Sequence, residues 1–217
     1  MAVKWGIGAF AVFAGLAMIV IAQAAPARGA NSQPCEVASL VIDAVHAERV
    51  SAMPVVFSRE TGAGLRRFLS MPGESSAETL SSFRHRFSKT DDPAYGWVGS
   101  IPDIELAMTF LAAKELSALD TCPDLAAHLR RSGISIDRRL LRQVVRHRNI
   151  NRPRRTRRYE AQILSVSLPI MDADGTDALV TIVSSYGPRD GSGRVVLFRR
   201  SEDRGWALAG SLLVYVS

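Results

Sequence analysis

The chain has 217 residues, with 27 basic and 21 acidic side chains, a formal net charge of +6 and only two cysteines. This length is enough for one domain with a sizeable core, and no internal repeat or low-complexity linker divides the sequence. Two cysteines allow a single pairing and do not make a zinc centre, which needs four ligands or three at close spacing. The histidines share no ligand spacing with one another or with the cysteines; they are His46, His85, His128 and His147. We therefore predict no structural metal and no cofactor.

The N-terminus has the pattern of an export signal. Lys4 precedes an uncharged apolar run over residues 5–22, and a small-residue cleavage pattern follows at residues 22–24. We predict a signal peptide over residues 1–24 and an exported protein, periplasmic or secreted, over residues 25–217. The competing interpretation is an uncleaved membrane anchor at residues 5–22, because this length reaches the lower limit for crossing a bilayer.

The front half of the exported chain, residues 34–148, predicts mainly helices. In EVASLVIDAVHAERV, Val37, Leu40, Val41 and Ala44 recur at the spacing of a buried helical stripe. Proline and glycine then separate the following segments. Helices are predicted at residues 36–50, 76–87, 103–119 and 124–131, and a short strand at residues 54–60.

Cys35 and Cys122 lie at the start of the first of these helices and after the third. An oxidising compartment favours a disulfide between them, so export predicts the bond. The alternative is two buried free thiols, because free cysteine is among the most buried residue types.

Residues 138–158, here called the basic segment, contain ten arginines and no acidic residue. Without Lys4 and these arginines the chain has 16 basic and 21 acidic residues, so its positive charge is concentrated in this segment. The first part predicts a basic amphipathic helix, and residues 149–158 predict a connecting loop. The candidate polyanion-binding residues are Arg138, Arg142, Arg146, Arg152, Arg154, Arg155, Arg157 and Arg158.

Three interpretations of the basic segment remain. It can be a solvated face in a protein that prefers arginine, with 24 Arg against 3 Lys, although such a preference should scatter arginines evenly. It can contact anionic lipid or another polyanion of the cell envelope. It can bind nucleic acid, but export argues against this partner, and no aromatic side chain precedes Tyr159 to stack on a base.

The back of the chain, residues 159–217, predicts a β-sheet. Four runs rich in Val, Ile, Leu and aromatic residues are separated by short segments that contain Asp and Gly. Such short connections leave no room for crossover helices, so the strands should form a four-stranded antiparallel meander. Helices in front and a meander behind predict an α+β fold, with the helices packed on one face of the sheet.

The sequence DGTDALVTIVSSYGPRDGSGRVVLFRRSEDRGWALAGSLLVYVS, residues 174–217, resembles the end of many uncharacterised exported bacterial proteins. Their sheets resemble the curved meander of the nuclear-transport-factor-2-like and cystatin-like folds. The resemblance covers about the last sixty residues and implies a curved antiparallel sheet with no established activity.

The segment MDADGTDAL, residues 171–179, raises the question of a calcium loop. If Asp172 were the first ligand of a helix–loop–helix site, Asp177 would occupy the glycine position and Val183 the position of the bidentate Glu. Asp and Gly are also what a short connection between two strands prefers. We therefore predict a turn.

Catalytic motifs are absent from the sequence, which contains no nucleophile elbow, phosphate loop, dinucleotide fingerprint or His-Glu-x-x-His pattern. The strand interiors offer hydroxyl groups but no carboxylate or histidine, so an acid–base pair would have to come from the helices. We therefore expect a non-catalytic interaction module with a basic surface, in an oligomeric state that the sequence leaves open. The alternative is an enzyme or small-ligand binder that uses a cavity between the sheet and the helices.

Overall fold

An antiparallel meander with helices N-terminal to it forms the fold, which confirms the predicted α+β class. The computed structural model describes residues 33–47, 53–59, 97–141, 161–187 and 190–216. The predicted signal peptide and the predicted helix at residues 76–87 lie outside these residues.

The elements follow one another in this order: α1 (Gln33–Ala47), β1 (Val55–Phe57), β2 (Trp97–Gly99), α2 (Ile104–Ala112), α3 (Ala118–Thr121), α4 (Leu125–Arg131), β3 (Gln162–Val166), β4 (Ile170–Met171), β5 (Asp177–Gly187), β6 (Asp190–Ser201) and β7 (Gly205–Val216).

The sheet is larger than the four strands predicted from the sequence. Its seven strands run in the order β1-β3-β5-β6-β7-β2, with β4 paired to β5. The predicted meander is β3-β5-β6-β7, and all its pairings are antiparallel. The predicted strand at residues 54–60 is β1, which joins β3 in parallel. Strands β2 and β4, of three and two residues, were not predicted from the sequence.

One side of the sheet, called the first face, packs against α1, α3 and α4. Residues Ala178, Val180 and Ile182 of β5 project to this face, and so do Val196 and Phe198 of β6. They join a cluster of buried side chains that includes Val37, Val41 and Ile42 of α1 and Leu125 and Leu129 of α4. The stripe predicted for α1 is therefore confirmed in part: Val37 and Val41 lie in the core, whereas Ala44 is exposed and the buried face includes Ile42 instead.

The opposite side, called the second face, is also covered. Leu179 of β5 and Leu197 of β6 pack with Phe110 of α2 and with Trp97 of β2. At the β1–β3 edge, Leu140 and Leu141 pack against Val56 and Ala161 on this same side. The prediction that the helices cover one face is wrong. The physical reason lies in the continuous apolar runs of β5 and β6, which are typical of strands that are buried on both faces.

The helices differ from the prediction in their bounds. Helix α1 begins at Gln33, three residues before the predicted start. The single helix predicted at residues 103–119 is interrupted, since Ala113 has an extended backbone and Ser117 forms a β-bridge with Ser167. Leu116, which lies within the span of the predicted helix, is 42% exposed. A tertiary contact with the sheet edge thus overrides the local helical pattern.

Candidate functional site

The predicted disulfide between Cys35 and Cys122 is present, with an S–S distance of 2.10 Å and a Cα–Cα distance of 5.4 Å. Cys35 lies in the first turn of α1, and Cys122 follows α3 directly. The bond therefore ties α1 to the loop between α3 and α4, on the first face of the sheet. Such a bond fits an oxidising compartment.

The predicted turn at residues 172–176 connects β4 to β5. Both carboxylate oxygens of Asp172 are engaged within it, since Oδ1 accepts from the Thr176 amide at 2.8 Å and Oδ2 accepts from the Thr176 hydroxyl at 2.9 Å. Gly175 has a positive φ of 68°, a backbone conformation that glycine adopts without steric cost. The Asp and Gly residues here have the roles expected of a turn, and the structure confirms that interpretation.

Asp177, the third aspartate of this stretch, pairs with Arg199 across β5 and β6. The Arg199 guanidinium donates from Nε to Oδ1 at 2.8 Å and from Nη2 to Oδ2 at 2.7 Å. This hydrogen bonding raises the pKa of Arg199, against the opposing effect of its partial desolvation. The side chain of Asp177 is only 10% exposed, so its charge is compensated inside the sheet. This pair is part of the sheet structure.

The beginning of the basic segment is described, and the remainder is not. Residues 138–141 are helical, and Asp137 caps this turn by accepting from the Arg139 amide at 2.7 Å. Arg138 and Arg139 are exposed, whereas Leu140 and Leu141 pack toward the sheet. The other candidate residues lie outside the described part of the chain; they are Arg142, Arg146, Arg152, Arg154, Arg155, Arg157 and Arg158.

The charge of the described residues has the opposite sign to that of the whole chain. They contain 10 Lys or Arg and 14 Asp or Glu, a net of −4, whereas all 217 residues together carry +6. Eight of the ten arginines of the basic segment lie outside the described residues and account for most of this difference. The protein thus combines an acidic body with a strongly basic stretch.

The helices supply a carboxylate–imidazole pair. The sequence had indicated that any acid–base pair would come from the helices, because the strand interiors contain no carboxylate or histidine. His128 Nε2 of α4 lies 2.9 Å from Asp43 Oδ1 of α1, with side-chain exposures of 22% and 42%. The pair bridges the two helices that cover the first face. Its position at a helix–helix contact gives it a structural role there.

A shallow cleft opens on the first face, beyond the reach of α1, α3 and α4. It has a volume of about 200 Å³ and is lined by Val98 of β2, Arg194 of β6, and Ser211 and Leu213 of β7. Sequence reasoning did not find this group. One signal was present, because Arg194 occupies the same side of β6 as the buried Val196 and Phe198, where an apolar residue is expected.

Within the described residues, no three His, Cys, Asp or Glu side chains are grouped so that they could hold a metal ion. No helix in that part of the chain is long and apolar enough to cross a membrane. Comparisons of the chain with protein-family models, with curated proteins and with solved structures found no significant match.

Proposed function

We propose that this protein is an exported, non-catalytic interaction module of the cell envelope that binds anionic surfaces through its basic segment. The observation that carries the proposal is the separation of charge. The described residues have a net charge of −4, and ten arginines follow one another without an acidic residue between positions 138 and 158. A charge distribution of this kind attracts polyanions, because each basic residue near an anionic membrane contributes about 1 kcal/mol.

The start of the basic segment is attached to the body of the protein. Leu140 and Leu141 pack with the buried Val56 and Ala161 at the β1–β3 edge, while the neighbouring Arg138 and Arg139 remain exposed. Basic groups that begin on a packed element lose less conformational entropy on binding than groups on a free tail. This arrangement favours the interpretation of the basic segment as a binding surface over its interpretation as a solvated face.

Export is supported by the disulfide between Cys35 and Cys122 and by the apolar run that ends in a cleavage pattern at residues 22–24. The envelope places anionic lipid head groups within reach of an exported protein. Anionic lipid is therefore the partner that this proposal names, ahead of nucleic acid.

The test is co-sedimentation of the exported protein with vesicles of rising anionic lipid content, at low and at physiological salt. Binding should increase with anionic lipid and weaken with salt, because the Debye length shortens to about 8 Å at physiological ionic strength. Replacement of Arg154, Arg155, Arg157 and Arg158 by Gln should weaken binding more than tenfold at low salt.

The matched control removes the same number of charges from the acidic body. Arg130 and Arg131 of α4, with Arg200 and Arg204 near the β6–β7 turn, are all exposed. A variant with these four residues changed to Gln should bind nearly as the unmodified protein does. Mass spectrometry of the preparation should place the N-terminus near Ala25, which removes residues 5–22 as a source of membrane binding. Equal binding by the two variants, or no binding at low salt, would overturn the proposal.

A further inference from the structure

A row of small polar side chains lies on the second face of the sheet, where the loop between α2 and α3 meets β3 and β5. Ser117 of this loop forms an antiparallel bridge with Ser167, which directly follows β3. The Ser167 amide donates to the Thr181 carbonyl of β5 at 3.0 Å, in continuation of the β3–β5 register. Residues opposite each other in antiparallel strands point to the same side of a sheet. Leu179, two residues before Thr181, belongs to the second-face cluster, so the three hydroxyl groups lie on that face.

All three side chains are buried, with exposed fractions of 5% for Ser117 and 1% for both Ser167 and Thr181. The Ser167 hydroxyl accepts from the Thr181 amide at 2.9 Å. Within the described part of the chain, neither Ser117 Oγ nor Thr181 Oγ1 has a hydrogen-bond partner. Buried polar groups in folded proteins are almost always hydrogen-bonded, because burial of an unpaired hydroxyl group costs free energy. These two hydroxyl groups therefore require a partner that the described protein atoms do not supply.

The spacing of the row indicates the size of that partner. Two strand intervals of about 4.8 Å each separate the backbone of Ser117 from that of Thr181. This separation is too long for a direct hydrogen bond between the two hydroxyl groups. Three consecutive O–H···O bonds of about 2.8 Å each span about 8 Å, which is the reach of two water molecules placed in line. The small side chain of Ser165, also buried on this face, leaves space beside Ser167 that a larger residue would fill.

We propose that Ser117, Ser167 and Thr181 form an internal hydration site that holds two ordered water molecules. One water bonds to Ser117 Oγ, the other bonds to Thr181 Oγ1, and the two waters bond to each other. The Ser167 hydroxyl retains its O–H donor and a second lone pair, so it can bond to both waters. Each water then makes three hydrogen bonds, which is the usual number for buried water.

The hydration site joins the loop after α2 to the middle of the sheet. The backbone is already bonded at this point, since the Leu168 amide donates to the Leu116 carbonyl at 2.7 Å. The water pair adds a side-chain connection that extends one strand further, to β5. The row contains no charged group and is closed to solvent, which suits water and not an ion. The site is separate from the basic segment and does not rest on the function proposed for it.

The first test is the sign of the change in stability on Thr181→Val, because valine keeps the shape of threonine and removes only the hydroxyl group. If this hydroxyl binds water, the melting temperature of the exported protein should fall by roughly 2–4 °C, which is the shift expected for the loss of one hydrogen bond in a chain of this size. If the hydroxyl has no partner, the same change removes an uncompensated buried polar group and should raise the melting temperature.

A double-variant cycle tests whether the two hydroxyl groups share the water pair. Ser117→Ala and Thr181→Val should each lower the melting temperature, and the combined variant should lose less than the sum, because either change disrupts the same two waters. The control combines Ser117→Ala with Ser184→Ala. Ser184 is also a buried hydroxyl of β5, but it accepts directly from Gln162 Nε2 at 2.7 Å. The losses in this control pair should add.

A high-resolution crystal structure of the exported protein gives the direct observation. It should show two ordered solvent molecules within hydrogen-bond distance of Ser117 Oγ and Thr181 Oγ1. Three results would overturn the hydration site: a higher melting temperature of Thr181→Val, additive losses in the pair Ser117→Ala and Thr181→Val, and electron density in which the two hydroxyl groups bond to protein atoms or to a larger solute in place of water.

Discussion

The two faces of the sheet are covered in different ways. On the first face, three helices pack over β1, β3, β5 and β6, and the disulfide, the Asp43–His128 contact and the Arg59–Asp120 ion pair connect elements on that side. On the second face, within the described residues, α2 packs with Trp97, Leu179 and Leu197, and the helical turn at residues 138–141 packs at the β1–β3 edge. The disulfide therefore cross-links the face that is covered by several short helices.

The two faces also differ in how far the buried clusters extend toward the β2–β7 edge of the sheet. On the second face, the cluster around Trp97 reaches Leu212 of β7 and so extends to the β2 edge. On the first face, the buried cluster reaches β6 and the half-buried Trp206, and Val98 and Leu208 remain exposed beyond it. Among the described residues, the same edge strands are thus packed on the second face and more exposed on the first.

The largest expected effect comes from removing the cross-link on the first face. Replacing Cys35 and Cys122 by Ala should lower the free energy of unfolding by about 4 kcal/mol, because the bond joins residues 87 positions apart and restricts the unfolded chain. Urea unfolding should be followed by far-UV circular dichroism and by Trp97 fluorescence in a Trp206→Phe background. Since β5 and β6 serve both faces, the two signals should share one midpoint; a separate, later loss of the Trp97 signal would show that the faces unfold independently.

An intermediate effect is expected from overfilling the second face. The Trp97 indole N–H donates to the Ser100 carbonyl, and a Cβ atom at Gly210 would overlap both groups. Gly210→Ala should therefore cost roughly 2–3 kcal/mol of unfolding free energy.

The control for this substitution is Gly205→Ala. Gly205 has a positive φ of 68° but no neighbouring atom within 4 Å of an added Cβ, so its cost should be about 1 kcal/mol from backbone conformation alone. Denaturant midpoints of the two variants give the comparison. Equal costs at both positions would mean that the Trp97 cluster adapts, and that the second face is less closely packed than the first.

The smallest expected effect is that of calcium on the turn at residues 172–176, which lies beside the start of α1 on the first face. Millimolar calcium should leave the melting temperature unchanged, because Asp172 is occupied by Thr176 and Asp177 by Arg199. Thermal unfolding with calcium or with magnesium is the measurement. A saturable rise with calcium that Asp172→Asn and Asp174→Asn together abolish would show that the turn is a metal site.

Much of the C-terminal half was predictable because its signals are local. The runs that became β3, β5, β6 and β7 are rich in residues that favour strands, and the segments between them are too short for anything except antiparallel connections. The disulfide was predictable for a similar reason, since two cysteines permit one pairing. The functional interpretation of the basic segment also depended on composition alone.

The tertiary structure decided what depends on contacts between distant residues. A continuous apolar run does not say which side of a strand meets a helix, and only packing showed that β5 and β6 are buried on both faces. The break after Ala112 follows from the pairing of Ser117 with Ser167, fifty positions further along the chain. The shallow cleft on the first face arises because β2 joins β7 and brings Val98 beside Ser211. The amino-acid sequence by itself therefore determined the four strands of the meander and their turns, through local conformational preference, and the cysteine pair, because two cysteines permit one pairing. The assignment of each face, and the exposure of the β2–β7 edge on the first face, came from long-range packing that no local pattern records.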